Sequence, residues 1–215
     1  LQERGVPADY LRALALMAIA SLVSVRLLSG RRAAGAPRVD PFFFCFGAAF
    51  LLLETRGLTV LAVLIGSTWG VSSAVFAGVL TMALLATGVA SKLERADDRK
   101  VTYGFFACLL AALALNYMVP VASLASLPLG VRGLAGAALV SLPMLASGVL
   151  FGRGLARAGS ADRALSANLL GALAGGALEY LSMLTGFRAL LLVAAALYLA
   201  ALAAEHRRLE AAPPT

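Results

Sequence analysis

Seven apolar stretches, most of them close to the length of a bilayer crossing, constrain this chain more than any other feature. They run over 10–29, 41–65, 69–91, 101–119, 131–151, 163–185 and 187–204. About 20 apolar residues in a helix cross the hydrocarbon core. Lipid gives the backbone no hydrogen bonds, so each stretch must satisfy its own N–H and C=O groups as a helix. A transmembrane β-barrel would show ~10-residue stretches of alternating polarity, which this sequence lacks. A large soluble helical core would need a polar face on most helices, and the long runs have none. Composition agrees: 61% of the 215 residues are hydrophobic and 13% are charged, against about 25% charged in a soluble domain. The predicted fold class is all-α, a polytopic transmembrane helix bundle of about seven spans. An extramembrane segment over 1–9 precedes the bundle over 10–204, and a tail over 205–215 follows it.

The boundaries carry helix punctuation. Gly30 is a stop after the first span. Asp40-Pro41 opens the second, with Asp as N-cap and Pro at the first helical position. Pro120 and Pro128 bracket a loop of about ten residues, and Pro143 falls inside the fifth span, where a kink is expected. Ser160 or Asp162 can cap the sixth, and Gly186 separates it from the seventh. In the first span, Arg12 and Arg26 must snorkel.

Charge predicts the orientation. Twelve of the eighteen basic residues fall in one set of loops: Arg31, Arg32, Arg38, Lys92, Arg95, Arg99, Lys100, Arg153, Arg157, Arg163, Arg207 and Arg208. The opposite set holds four, Arg4, Arg12, Arg132 and Arg188. By the positive-inside rule, the C-terminus is cytoplasmic and Leu1 lies outside, in a bacterial inner membrane. The net charge of +7 is therefore read as topological charge, and no nucleic-acid partner is expected. Trp69, Tyr10 and Tyr117 near the outer ends, and Tyr103 near an inner end, fit an interfacial aromatic belt.

Polar residues inside the spans are the candidate functional positions, because a charge there costs about 2.5–3.5 kcal/mol on insertion scales. Glu54 and Arg56 stand in the middle of the second span. Two residues apart on a helix, they point to different sides and each needs its own partner or water. They form either a polar pocket or ion path, or a structural element that fixes packing, or they mark an earlier end of the span. In the sixth span Asn168, Gly171, Gly175, Glu179 and Ser182 fall at steps of 3, 4, 4 and 3 and share one face. Gly171 and Gly175 form a GxxxG pair, extended by Gly176, which invites close backbone approach. Asn168 and Glu179 then flank a tight helix contact, and Glu179 is a candidate partner for Arg56. Gly148 and Gly152 form a second small-residue contact, and Asn116 is a candidate hydrogen-bonding residue near an outer end. Cys45 and Cys108 are read as small buried hydrophobes. His206, beside Arg207 and Arg208, is read as a solvated rim residue. The mixed-charge loop Lys92–Lys100 is read as a topological anchor that could also clamp against the region of Arg157 and Asp162.

No nucleotide-binding glycine loop, HExxH or framed Ser/His/Asp set is present. A single histidine at a rim argues against most His-based acid–base chemistry and against His-ligated metal. The expectation is a non-catalytic chain with no cofactor and no metal.

The stretch Phe42-Phe-Phe-Cys-Phe-Gly-Ala-Ala-Phe-Leu-Leu-Leu-Glu-Thr-Arg-Gly, followed by Leu64-Ile-Gly-Ser-Thr-Trp-Gly, resembles the membrane region of bacterial spermidine synthase-like proteins. There an aminopropyltransferase-type domain is fused to a major-facilitator-like helix bundle. The stretch from Asn168 to Leu190 is similar to the late helices of that region. Together these segments cover about a quarter of the chain. The resemblance implies that spans two to seven form one six-helix major-facilitator-like half, with the basic–acidic loop Lys92–Lys100 between its second and third helices. It carries over no catalytic residue, since the matching positions lie outside the soluble domain. It implies a membrane anchor or transport-like module, or one offering a polar pocket to a small cationic or amphiphilic molecule with Glu54 and Glu179 as counter-charges. The alternatives are a structural subunit of a larger membrane complex and a half-size transporter acting as a dimer. The expected partners are the lipid bilayer and either other membrane subunits or a fused soluble domain.

Overall fold

The computed structural model describes residues 39–66, 69–93, 98–179 and 186–211, with positions 12, 15, 16 and 19 of the first stretch, which are helical. The rest of the expected first span, Ser182 and the four residues after Ala211 lie outside the described residues. Among the described residues the chain forms seven helices: α1 Pro41–Ile65, α2 Trp69–Lys92, α3 Asp98–Met118, the short α4 Val121–Ala125, α5 Leu129–Arg157, α6 Ala161–Glu179 and α7 Phe187–Ala211. Four are long and apolar enough to cross a membrane, those over Pro41–Ile65, Arg99–Met118, Leu129–Arg157 and Phe187–Glu210. The secondary structure of the described residues is all helical, and the four long apolar helices mark a membrane protein.

The punctuation works locally. The Phe42 N–H donates to Asp40 Oδ1 at 3.0 Å, with Pro41 at the first helical position, so one orphan donor is capped where the chain enters α1. Gly66 ends α1 at φ +107°, a backbone conformation that a Cβ would strain. α5 runs through Pro143 without a break. Two helices outrun expectation. α5 continues past residue 151 to Arg157, and α7 continues past 204 to Ala211, so Glu205, His206, Arg207 and Arg208 stand on a helix, not in a tail. The physical reason is pairing across elements: Glu205 is buried and holds Arg157 at 3.0 Å.

α1 is the central element, packed against α6, α7, α5 and α2. Its first two turns carry an aromatic cluster. Phe43 meets Phe151 of α5 edge-on at 5.6 Å, and Phe46 meets both Phe106 of α3 at 6.1 Å and Tyr198 of α7 at 5.1 Å. Edge-to-face pairs of this kind contribute about 0.5–1.5 kcal/mol each beyond area burial. They give direction to a core in which apolar contact alone discriminates poorly, because lipid tails are as apolar as leucine.

α6 meets α1 through backbone. A Cβ placed on Gly171 would lie 1.9 Å from the Phe44 carbonyl oxygen, and one on Gly175 would lie 2.5 Å from that of Ala48. From the other side, a Cβ on Gly47 would lie 1.9 Å from the Asn168 carbonyl oxygen. Gly176 faces Leu51. The order Phe44–Gly171, Ala48–Gly175 and Thr55–Glu179 runs the same way along both helices, so α1 and α6 are parallel. On α5, Gly148 and Gly152 face Ala86 and Ala90 of α2, a second parallel contact between small residues. Cys45 is half-buried, whereas Cys108 is exposed on α3; the expectation of a buried Cys108 is corrected, since its helix turns that side away from the core.

Gly171→Ala should therefore destabilise the bundle. Alanine is favoured over glycine by about 1 kcal/mol in a helix, but overpacking against rigid backbone costs about 1–3 kcal/mol or more. Gly78→Ala and Gly104→Ala, where nothing lies within 4 Å, should be neutral or stabilising. Thermal unfolding of the three variants in one detergent checks the contrast; equal behaviour would refute the backbone contact.

Candidate functional site: a buried arginine and the carbonyl groups around it

Two prolines leave backbone carbonyls without their helical donors. Pro143 has no N–H to give Leu139, four residues earlier, and Pro120 has none to give Asn116. In lipid an orphan carbonyl must be satisfied by the protein. Both are taken up by one network. Asn116 Nδ2 donates to the Leu139 carbonyl at 2.7 Å and to the Ala112 carbonyl at 3.0 Å, which uses both amide protons. Arg56 Nη1 donates to Asn116 Oδ1 at 3.2 Å, and Nη2 donates to the Asn116 carbonyl at 3.3 Å. Arg56 is 6% exposed and Asn116 is 2% exposed. The network ties α1 to the C-terminal end of α3 and, through Asn116, to α5.

Arg56 does not pair with Glu179. Its charge is met instead by the end of α3, where carbonyl oxygens carry the negative pole of the helix dipole. A hydrogen bond to a charged group contributes about 1.5–3 kcal/mol, enough to offset much of the insertion cost. Position matters too. At 1.5 Å per residue, Arg56 lies about 24 Å along α1 from Asp40, nearer the far boundary of a ~30 Å core than its centre.

Glu179 reaches α1 one residue from Arg56. Thr55 Oγ1 has one proton: it donates to the Leu51 carbonyl at 2.9 Å and lies 3.4 Å from Glu179 Oε2, a long contact. Glu54 is half-buried, and among the described residues its carboxylate makes no hydrogen bond or ion pair. The structure thus brings Arg56 to Asn116, and Glu179 to Thr55, and joins neither pair to the other. Asn168 lies at the α1–α6 contact through its backbone.

The Arg56 arrangement recurs at other helix ends. Arg188 Nη2 donates to the Tyr117 carbonyl at 2.7 Å while its guanidinium lies 4.8 Å from the Tyr117 ring centroid. Arg99 Nη2 donates to the Leu209 carbonyl at 2.7 Å, in the last turn of α7. Arg153 Nη1 donates to the Leu93 carbonyl, just past α2. Leu93, just past α2, is therefore held by α5, and the start of α3 by α7; the rest of the loop, 94–97, lies outside the described residues. His206 is bridged at the same rim, with Tyr103 Oη 2.7 Å from Nδ1 and Glu210 Oε1 3.1 Å from Nε2. The Ser160 hydroxyl donates to the exposed Asp162 carboxylate, the main reason that carboxyl is held below its usual range. Among the described residues, no group of three or more metal-ligating side chains converges.

Asn116 came out of the sequence as a hydrogen-bonding residue without its partner. The missing signal was the pair of prolines, each of which names a free carbonyl four residues upstream. Gly47, the third glycine of the α1–α6 contact, was missed because it lacks a glycine partner on its own helix.

Asn116→Leu should lower unfolding stability by about 3 kcal/mol, since it removes the acceptor of Arg56 Nη1 and leaves the Leu139 carbonyl unmet, while Arg56 Nη2 keeps the main-chain carbonyl of residue 116. A double-mutant cycle should show coupling above about 1 kcal/mol between Arg56→Leu and Asn116→Leu, and additivity within about 0.5 kcal/mol between Arg56→Leu and Glu179→Leu. The reverse pattern would place the partner of Arg56 on α6. Comparison of the chain with known protein families, with curated proteins and with solved structures finds no match, so the resemblance to spermidine synthase-like membrane regions rests on the quoted residues alone.

Proposed function

We propose that this chain is a non-catalytic membrane module of the bacterial inner membrane that anchors a fused soluble domain or fixed partner subunits. The observation that carries this reading is that the buried arginine is engaged within the bundle. Arg56 meets Asn116 and a helix-end carbonyl, and α1 and α6 close on each other through backbone. Polar groups used this way hold helices together. The kinship implied by the Phe42–Gly57 and Asn168–Leu190 stretches, to the membrane region of spermidine synthase-like proteins and its six-helix half, supports the same role.

Lys92, Arg99, Lys100, Arg153, Arg157, Arg163, Arg207 and Arg208 belong to the end where α2, α5 and α7 finish and α3 and α6 begin. Arg132 and Arg188 belong to the other. The positive-inside rule puts the first end, with the C-terminus, in the cytoplasm; seven spans, counting the first stretch, would place Leu1 outside.

Glu54 favours a second reading, in which its unmatched carboxylate and the loosely held Glu179 face a small cation in a polar intramembrane pocket. Under that reading a polyamine-like cation should raise the unfolding temperature of the native chain and not of Glu54→Gln.

Two measurements test the principal reading. With Cys45 and Cys108 replaced by alanine, Gly159→Cys should react with an impermeant maleimide only from the cytoplasmic face, and Ser126→Cys only from the opposite face. Isolation from native membrane in mild detergent should return the chain within a longer polypeptide or with a partner in fixed ratio. Recovery as a solitary 22.0 kDa species would overturn the anchoring role.

A further inference from the structure

At the basic end, a cleft of about 770 Å³ opens between the start of α1, the end of α5, the start of α6 and the end of α7. Three arginines line it: Arg157, Arg163 and Arg208. Its two carboxylates are already matched. Asp40 is paired with Arg208, and buried Glu205 holds Arg157 at 3.0 Å and Arg208 at 3.5 Å. Glu205 thereby sets two guanidinium groups side by side. Each guanidinium has five N–H donors; those of Arg208 are only partly used by the two carboxylates. Arg163, exposed at the mouth, makes no hydrogen bond or close ion pair with another described residue, and the charge acting on it is that of the exposed neighbouring Asp162 carboxylate. Phe43 lies buried behind this wall, with the Arg208 guanidinium 5.8 Å from its ring centroid.

We infer that this cleft binds a phosphate group, and that the phosphodiester of an anionic phospholipid headgroup is its occupant. The inference rests on the membrane orientation proposed above, which sets the cleft at the cytoplasmic boundary. Guanidinium forks match phosphate oxygens in pairs, and basic pockets between transmembrane helices on the cytoplasmic side suit anionic headgroups. The cleft's position at the membrane boundary, where anionic headgroups are concentrated, favours a lipid phosphate over a free ion. The role that follows is a lipid-dependent clasp: a bound phosphate bridges Arg163 at the start of α6 to the Arg157–Glu205–Arg208 set on α5 and α7.

The test uses the full chain in nanodiscs of phosphatidylcholine with and without phosphatidylglycerol, read by native mass spectrometry for retained phosphatidylglycerol. Arg163→Gln should weaken retention about tenfold, the equivalent of one charge-assisted hydrogen bond. Arg207→Gln, an equal loss of charge at the same end but outside the cleft, should leave it within roughly twofold. Equal loss in the two variants, or none in Arg163→Gln, overturns the proposal. A parallel arm adds inorganic phosphate. No displacement supports the lipid headgroup; displacement with the same dependence on Arg163 overturns the lipid and assigns the cleft to a soluble phosphate compound. Carbonate extraction of native membranes separates failure of this proposal from failure of the membrane reading, since a native chain that stays in the membrane but retains no phosphatidylglycerol in nanodiscs refutes only the cleft.

Discussion

Helix α1 can occupy the centre of the bundle because α6 offers it glycine where a side chain would otherwise stand. In water, burial of apolar surface would press these helices together whatever their surfaces. In lipid that force is absent, and association depends on how closely the backbones approach. Gly47, Gly171 and Gly175 remove the atoms that would hold them apart. With α6 seated on one side, the phenylalanines of α1 are left to face α3, α5 and α7, and the edge-to-face pairs at Phe43 and Phe46 set those helices in place.

The hydrogen-bond network around Arg56 follows from the same solvent. Proline in a soluble helix frees a carbonyl that water can satisfy. Pro143 and Pro120 free carbonyls where no water is expected, and a neighbouring helix must supply the donors. Asn116 suits this task because its amide carries two protons and an acceptor. Both protons go to carbonyls, and the acceptor is left for Arg56. A residue that looks expensive on α1 is thus the complement of a deficit on α3 and α5. Removing the arginine alone would not make the site simpler, since the Asn116 carbonyl would remain.

Much of the architecture was legible in the sequence because lipid makes local rules strict. Asp40-Pro41 opens α1 where a cap and a fixed φ require it, and Trp69 and Phe187 begin helices where apolar runs restart. Helix ends in charged segments were less legible. Hydropathy stops at residue 204, but the helix does not, because buried Glu205 finds Arg157 across the bundle, and no one-dimensional pattern contains that pair. The glycine face of α6 was visible as a spacing, while its partner Gly47 was visible only in three dimensions. Arg56 was visible as an anomaly, and its partner was misjudged for a physical reason: opposite charge is only one way to meet a cation. The negative end of a helix is another, and it leaves no acidic residue to be read.

The same reasoning bears on why the basic residues are sixteen arginines and two lysines. A topological signal needs only positive charge, and lysine supplies it as well as arginine. Four arginines here donate to carbonyls at or just past the end of another helix: Arg56 and Arg188 on α3, Arg99 on α7 and Arg153 after α2. That task needs several donors in a fixed plane, so that one group can reach a carbonyl while its remaining donors meet something else. Arg56 does so with an amide oxygen, Arg188 does so against an aromatic face, and Arg157 with a carboxylate and the Arg153 carbonyl. Lysine, a compact point charge, cannot divide itself in that way. The preference for arginine is therefore a structural demand laid over the topological one, and it falls where helix ends leave carbonyls unmet.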